Sequence, residues 1–522
     1  MSSSDKQDKN AVIEPVQHIE TYHEHDMDDI EQVKERNLEV ADDDARDYVD
    51  TTIVINEDMN KKLRRKIHIR LLPLMCLAYI TQSLDKGTLG PSSIMGWLDN
   101  VGAKNQDYAL TSTFLWCGII LGEPIAGQLV RRLPLAKILG TSMLIWSILL
   151  LGLTFSLSIP PVFAIRFLLG FFESVFGPVL LSITVQWYLK SEQAFISSIW
   201  QSMLGVSGCV INLMAYGFYH IKGRTHHMYS WQWLTLTVAL FSFIAAIVIL
   251  LFLPDSPTRA RWATKEEKVL FVERVRSNAQ GIKQKEFKRY QVIEALTDSY
   301  TYLLFLLALF NTLVVGGIGK FSSLLINKAF GFDVLQSQLL SIPLGLMVFL
   351  TYMLQYIVTK TKQALLCMIA LCIPNIAGTI ALICVAPSPS NRGGLLVAFY
   401  FMQFFQSCNP AIFLMLSRNS AGQTKKSITY ATTYMAWAGG NAIAPQLFQA
   451  PWAPRYLNSL KIHLGLYGGF ILTCLAMRLL LVRRNKRKVA AQTNSQGQEI
   501  NTNARAFEDL TDIENPDFRY SL

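Results

Sequence analysis

About twelve apolar stretches, each long enough to cross a bilayer as a helix, run through this chain between residues 70 and 482. At about 1.5 Å of rise per residue, some 20 apolar residues cover a hydrocarbon layer about 30 Å thick. Inside that layer backbone N–H and C=O groups can pair only with one another, so a chain written this way folds as a helical bundle. The stretches lie near 70–93, 109–130, 136–157, 160–188, 194–218, 232–253, 300–325, 336–358, 364–386, 394–417, 428–450 and 463–482. A soluble multi-domain reading leaves them unexplained. The fold class expected is an all-α polytopic membrane protein, with the bilayer as its first partner.

Basic residues between the stretches set the topology. Loops on the side of the N-terminal patch Lys61–Arg70 hold roughly 30 Lys and Arg, and the opposite loops about 7, so both termini are expected to be cytoplasmic. The same distribution accounts for the net charge of +10, which invites a nucleic-acid reading; the bases sit in short loops, not in a folded basic domain. Residues 1–66 form an acidic tail; residues 1–60 alone hold eighteen acids and five bases, and the segment is expected to be disordered and cytosolic. Its His18, His23 and His25 read as solvated. Residues 67–253 make a first six-helix half, 254–299 a cytosolic central loop, 300–482 a second six-helix half and 483–522 a polar cytosolic tail, also expected to be disordered. In the central loop, Thr264 with Glu267 three residues on opens an amphipathic surface helix. Two six-helix halves are the architecture of many secondary transporters. No phosphate-binding loop points to ATP. The eight cysteines lack zinc or disulfide spacing, and no metal or cofactor is implied.

Four charges stand where lipid would punish them. Arg166 and Glu173 in the fourth stretch are seven residues apart, about two turns, so they leave one helix face. A charge near the bilayer centre costs about 2.5–3.5 kcal/mol on insertion scales, so that face looks into the bundle. Asp85 and Lys86, late in the first stretch, point about 100° apart and must find partners on other helices. Together they form one candidate site in which ion pairs exchange: Asp85 and Glu173 as proton-coupling acids, Arg166 and Lys86 as binders of an anion. A carboxylate in a low-dielectric cavity is pulled towards neutrality by desolvation and towards charge by a neighbouring cation, which allows proton loading and release. The alternative is an ion-pair network that only stiffens the first half.

The second half carries amides instead: Asn311, Gln355, Asn375, Gln403, Gln406, Asn409, Asn441 and Gln446. Gln406, Asn409, Asn441 and Gln446 are the candidates for orienting substrate, although buried amides also bond helix to helix. Lys320 reads as snorkelling to the interface, and Glu123 either lines the cavity or braces a helix end. Gly118 and Gly122, Gly205 and Gly208, and Gly465 and Gly469 mark close helix contacts.

Several strings together resemble one family. They are Leu84-Asp85-Lys86 with Leu89-Gly90; Arg166-Phe167-Leu168-Leu169-Gly170 with Glu173 and Pro178; Leu253-Pro254-Asp255-Ser256-Pro257; and Gly440-Asn441 with Pro445-Gln446. Over residues 60–490 the chain resembles the major facilitator superfamily, and within it the fungal allantoate permease family of anion:cation symporters. The resemblance implies an importer of a small organic anion with a proton, such as a vitamin precursor, a ureide, an amino acid or a sulfur compound, and a monomer is expected; with no His-Glu-x-x-His or Gly-x-Ser-x-Gly string and no carboxylate pair on a shared face, an integral membrane enzyme is set aside. It also implies the plasma membrane, with endoplasmic reticulum or vacuole as alternatives. A non-transporting sensor of the same fold is the competing reading. Two strings depart from the family: Lys86 and Thr88 stand where Arg and Asn are usual, and in the gating loop after the second stretch Arg131, followed by Arg132, takes the place of the acid.

Overall fold

A computed structural model describes residues 56–104, 106–221, 227–276, 288–361, 363–494 and 510–522, without the side chains of 131, 354–360 and 491–494. Residues 1–55 of the acidic tail, with its three histidines, and the side chains of Arg131 and Gln355 therefore lie outside the described residues, while residues 57–66, expected to be disordered, are helical under an Asn56 cap. Helices α1–α6 are Glu57–Val101, Asp107–Arg132, Leu135–Phe155, Ile159–Trp187, Lys190–Tyr219 and Ser230–Phe252. Two short helices follow, α7 (Lys265–Arg276) and α8 (Arg289–Thr297). The second six are α9 (Ser299–Ala329), α10 (Val334–Leu340 running on as Ile342–Lys360), α11 (Ala364–Cys384), α12 (Arg392–Phe401 and Cys408–Asn419), α13 (Gln423–Ile443) and α14 (Leu457–Asn494). The two halves give the expected twelve spans.

Among the described residues, ten spans are long and apolar enough to cross a membrane by length and composition alone. The other two depart for local reasons. A 3-10 stretch, Met402–Ser407, breaks α12 and frees backbone groups that lipid could not satisfy. Two buried amides take them up: Asn311 donates to the Phe405 carbonyl (2.9 Å) and the Phe405 N–H donates to Asn375 Oδ1 (3.3 Å). In α13 the faces turned inward are threonines and small residues, with Thr424, Thr429, Thr433, Ala438 and Gly440 all buried. Prolines fall mostly at restarts: Pro178, Pro343, Pro410 and Pro445 each open a new helical segment, while Pro124 and Pro374 lie inside helices.

Glycines set the closest approaches. A Cβ on Gly170 of α4 would sit 1.9 Å from the Leu115 carbonyl oxygen of α2, and one on Gly118 of α2 would sit 2.0 Å from the Phe167 oxygen. Gly205 of α5 meets Gly345 and Phe349 of α10 in the same way, joining the two halves backbone to backbone. Gly465 touches nothing within 4 Å, so of the expected contact glycines it is the exception.

Each linker helix is pinned to one half, on the face where α1 begins. The Thr264–Glu267 capping pair forms as its spacing predicts, with Glu267 N–H donating to Thr264 Oγ1 (3.3 Å) and Thr264 N–H to Glu267 Oε2 (3.0 Å). Helix α7 packs Phe271 on Trp187 and Trp262 and drives buried Arg274 against Glu192 at 2.6 Å, Asn60 at 2.6 Å and the Trp187 carbonyl at 3.2 Å. Helix α8 sits on the second half, where buried Lys425 of α13 meets Glu294 at 2.9 Å and Asp298 at 3.0 Å. The last thirteen residues, expected to be disordered, are instead laid over this second node: Asp512 lies 2.7 Å from Lys425. A buried ion pair supplied by distant segments holds them, which composition does not register.

Two outcomes follow. Gly170→Val overpacks α2 against α4 and should cost about 1–3 kcal/mol, read as a lower thermal midpoint in detergent, while Gly127→Ala, with open space around it, leaves the midpoint unchanged. Glu267 is held below its ordinary value of 4.5, first by the hydrogen bond from Lys66 (2.5 Å) and then by the Thr264 N–H. A depressed carboxyl stabilises above its unfolded pKa and loses that contribution as pH falls through the folded one. Amide protection over residues 265–276 should therefore drop below about pH 4.5. In Glu267→Gln it should already be reduced at pH 7, without this acid step.

Candidate functional site

Close packing of α4 on α2 is what brings the intramembrane charges together. Arg166, Gly170 and Glu173 share a helix face, and the missing side chain of Gly170 lets that face settle on α2. Arg166 and Glu173 are both buried. The Lys86 ammonium reaches across from α1 and stands 3.0 Å from Glu173 Oε2, with the Trp116 ring of α2 at 5.5 Å on another side. Asp85 is fully buried and neither of its carboxylate oxygens receives a hydrogen bond from a described donor. Its charge and those of Glu173, Arg166 and Lys86 act on one another directly. The four residues singled out on the first and fourth stretches thus occupy one place.

A fifth charge joins them from the other half. Lys320 of α9 does not snorkel: it points back into the bundle, where its ammonium donates to the Lys86 main-chain carbonyl (3.2 Å) and lies within electrostatic reach of Arg166, Glu173 and Asp85. Tyr108 of α2 donates its hydroxyl to the Lys320 carbonyl (2.7 Å). The cluster therefore spans α1 and α4 of the first half and α9 of the second. It holds three cations, Lys86, Arg166 and Lys320, against two carboxylates, Asp85 and Glu173. The signal that could have found Lys320 is its place, sixteen residues before the Gln336 capping position of the next helix and preceded by Gly316, Gly317 and Gly319. Gly316 lets Asn441 of α13 press against α9, and Gly317 does the same for Ala444 and Phe448 just beyond α13.

On the face opposite the chain termini the halves are stitched together. Thr113 of α2 donates to the Ala442 carbonyl of α13 (2.8 Å) and accepts from Gln446 Nε2 (2.9 Å), while Gln106 accepts from the Ala450 N–H (3.2 Å). Beside these bonds Leu115, Trp116 and Ile119 pack on Ala438 and Ala442, and Trp116 meets Trp437 edge to face at 4.9 Å. Where α5 and α13 begin, on the other face, Lys190 and Lys426 bring like charges within reach of one another.

The amides are dispersed. Gln446 serves the stitch just described, and Asn441 donates back to the Trp437 carbonyl of its own helix (2.8 Å). Gln406 lines a small gap with Gln403, Val314 and Ile318 and approaches Tyr352. Asn409 is half-buried, with its Oδ1 receiving no bond from a described donor. Glu123 lies against Tyr434 and Tyr430 of α13. Arg132 is exposed at the end of α2, and the loop beyond it is tied by Asp255, whose Oδ1 accepts from the Ala136 N–H (3.1 Å).

A twelve-helix bundle of two halves with charges at their junction matches a known pattern over residues 75–445, that of the Major Facilitator Superfamily. The chain belongs to this superfamily. Within it the sequence groups with the fungal allantoate permeases: it is 31% identical to the allantoate permease of Saccharomyces cerevisiae, over 90% of this chain and 88% of that one. It is also 31% identical to the thiamine pathway transporter THI73 of the same yeast, over 89% and 87% of the two chains. The high affinity cysteine transporter of that yeast is 27% identical over 90% and 92%. Among solved structures the Escherichia coli proton:xylose symporter XylE, bound to 6-bromo-6-deoxy-D-glucose, superposes with a TM-score of 0.61 at 13% identity, covering 79% of this chain and 95% of that one. A superfamily member of this kind is a membrane-embedded transporter and not an enzyme.

Proposed function

We propose that this transporter is a proton-coupled symporter that imports a small organic anion, with a carboxylate as the group recognised. The observation that carries the reading is the charge count of the cluster, three cations against two carboxylates, placed where both halves meet. The excess cation is a place for one anion. The relatives named for allantoate and for cysteine are named for compounds that carry a carboxylate, which supports the same class.

Coupling follows from the Lys86–Glu173 pair. A substrate carboxylate that takes Lys86 displaces Glu173, and a buried carboxylate without its cation is strongly disfavoured unless it accepts a proton. Arg166 offers a planar fork to the anion, and Lys320 a point charge from the opposite half. Asp85 is the second acid, close enough to pass or share the proton. After release Glu173 gives up its proton and returns to Lys86. The empty cluster carries a net charge of +1 from its three cations and two acids; adding one monoanion and one proton leaves it at +1. Reorientation therefore moves the same charge with or without cargo, because a monoanion and a proton taken together are neutral. In this reading the basic loops and both termini are cytoplasmic, the stitched face looks outward, and the carrier works as a monomer in the plasma membrane.

Uptake of labelled carboxylates by cells expressing the chain should rise at acidic external pH and collapse with a protonophore. Glu173→Gln should abolish accumulation yet keep exchange of substrate across the membrane. Arg166→Ala and Lys320→Met should each weaken substrate binding roughly 10- to 100-fold, the value of one charge-assisted hydrogen bond. Unchanged affinity in both variants, with the protein confirmed at the membrane, would remove the anion site from this cluster.

A further inference from the structure

We propose that the second half carries, on the face where its spans begin at α8 and α9, a binding site for an acidic, aromatic peptide, and that the chain's own residues 510–522 occupy it as a releasable strap. The site is built from side chains that the transport cluster does not use. Lys425 is buried at the start of α13 and Arg484 projects from the extension of α14, with Asp298 between them at the start of α9. Into this group the strap inserts Asp512, fully buried, 2.7 Å from Lys425 and 3.9 Å from Arg484.

Recognition continues along the strap. The Tyr520 hydroxyl donates to Asp512 Oδ2 (2.8 Å), and its ring lies under Arg484 (5.7 Å) and Lys488 (5.4 Å). Lys488 also donates to the main-chain carbonyls of Asp512 and Asn515. Two amides read the last residues in paired fashion, as a strand edge would. Asn419 of α12 gives 2.9 Å to the Ser521 carbonyl and accepts 2.7 Å from its N–H, and Asn485 of α14 does the same for Tyr520, at 2.9 Å each way. Leu522 accepts from the Ala364 N–H at the start of α11 (2.7 Å).

The contacts touch the ends of α9, α11, α12, α13 and α14 and come from a segment without regular helix. Such a segment can leave as a unit without unfolding a span. While docked, it fastens the ends of α12 and α13 to their neighbours, so release loosens that corner of the half.

The test uses a chain ending at Asn494 and a fluorescent synthetic peptide of residues 510–522, followed by anisotropy in detergent. The shortened chain should bind the peptide saturably, and a D512N peptide at least about tenfold more weakly, the loss of one charge-assisted contact. The intact chain should take up no peptide, whereas intact chain bearing Asp512→Asn should take it up, its own strap having been freed. In parallel, amide protection over residues 419–428 should fall about tenfold or more in the shortened chain and recover when peptide is added. A shortened chain that still elutes as one species but binds neither peptide, or binds both alike, overturns the proposal, as does protection that stays unchanged. Should the shortened chain fail to fold, the intact Asp512→Asn chain decides: peptide uptake upholds the strap and its absence overturns it.

Discussion

A bilayer has no water to spare for a charge, and the interior of this protein is arranged around that constraint. Asp85, Lys86, Arg166 and Glu173 survive between spans only because each stands within reach of opposite charge, and Lys86 and Glu173 come to 3.0 Å. Such neutralisation is partial by design of the sequence, since Lys320 adds a third cation from the other half. The glycine contact between α4 and α2 is part of the same arrangement. Any side chain at Gly170 would push α4 outward and draw Glu173 away from Lys86. Packing at the scale of one methyl group thus sets the electrostatics of the site.

Much of this was legible in the sequence, for identifiable reasons. Spans announce themselves through hydrophobic length, and the observed helices begin and end close to the apolar stretches. The first and last run on into polar sequence: α1 begins at Glu57 under an Asn56 cap and α14 continues to Asn494. Arg166 and Glu173 were legible because their spacing fixes a common face. Lys320 was not, because a lysine near the end of an apolar run has a cheaper alternative in the headgroups; only the position of Lys86 shows that it turns inward. The amides divide in the same way. Asn311 and Asn375 answer a helix break at Phe405 that hydropathy does not reveal.

The two anchoring bases were hidden more thoroughly. Arg274 and Lys425 sit in charged, exposed-looking segments, yet both are buried. Their partners come from remote sequence: Glu192 is 82 residues from Arg274 and Glu294 is 131 from Lys425. The strap is the extreme case, a polar tail whose order depends on a lysine 87 residues earlier, Asp512 on Lys425. Local composition predicts disorder whenever the segment cannot bury apolar area of its own. Here the burial is borrowed from a half already folded.

The unequal strength of these contacts is what allows a transporter to move. Within each half, buried charges such as Arg274 and Lys425 have several partners, and leaving one of them unpaired costs about 3–5 kcal/mol. Between the halves, the stitched face is closed by a few neutral hydrogen bonds from Thr113, Gln446 and Gln106, each worth about 0.5–1.5 kcal/mol net, and by the packing of Leu115, Trp116 and Ile119 on Ala438 and Ala442. A bound ligand shifts such a face by its differential affinity for the two states, about 5.5 kcal/mol being enough to invert a 1:99 population. The contact of α5 on α10 suits such a change. Backbone lies on backbone at Gly205 and Gly345, with the small Cys209 side chain beside them donating to the Ile342 carbonyl, so few bulky side chains interlock at that point. Strong bonds inside the halves and weak ones between them make the halves, and not the single helices, the units that can shift.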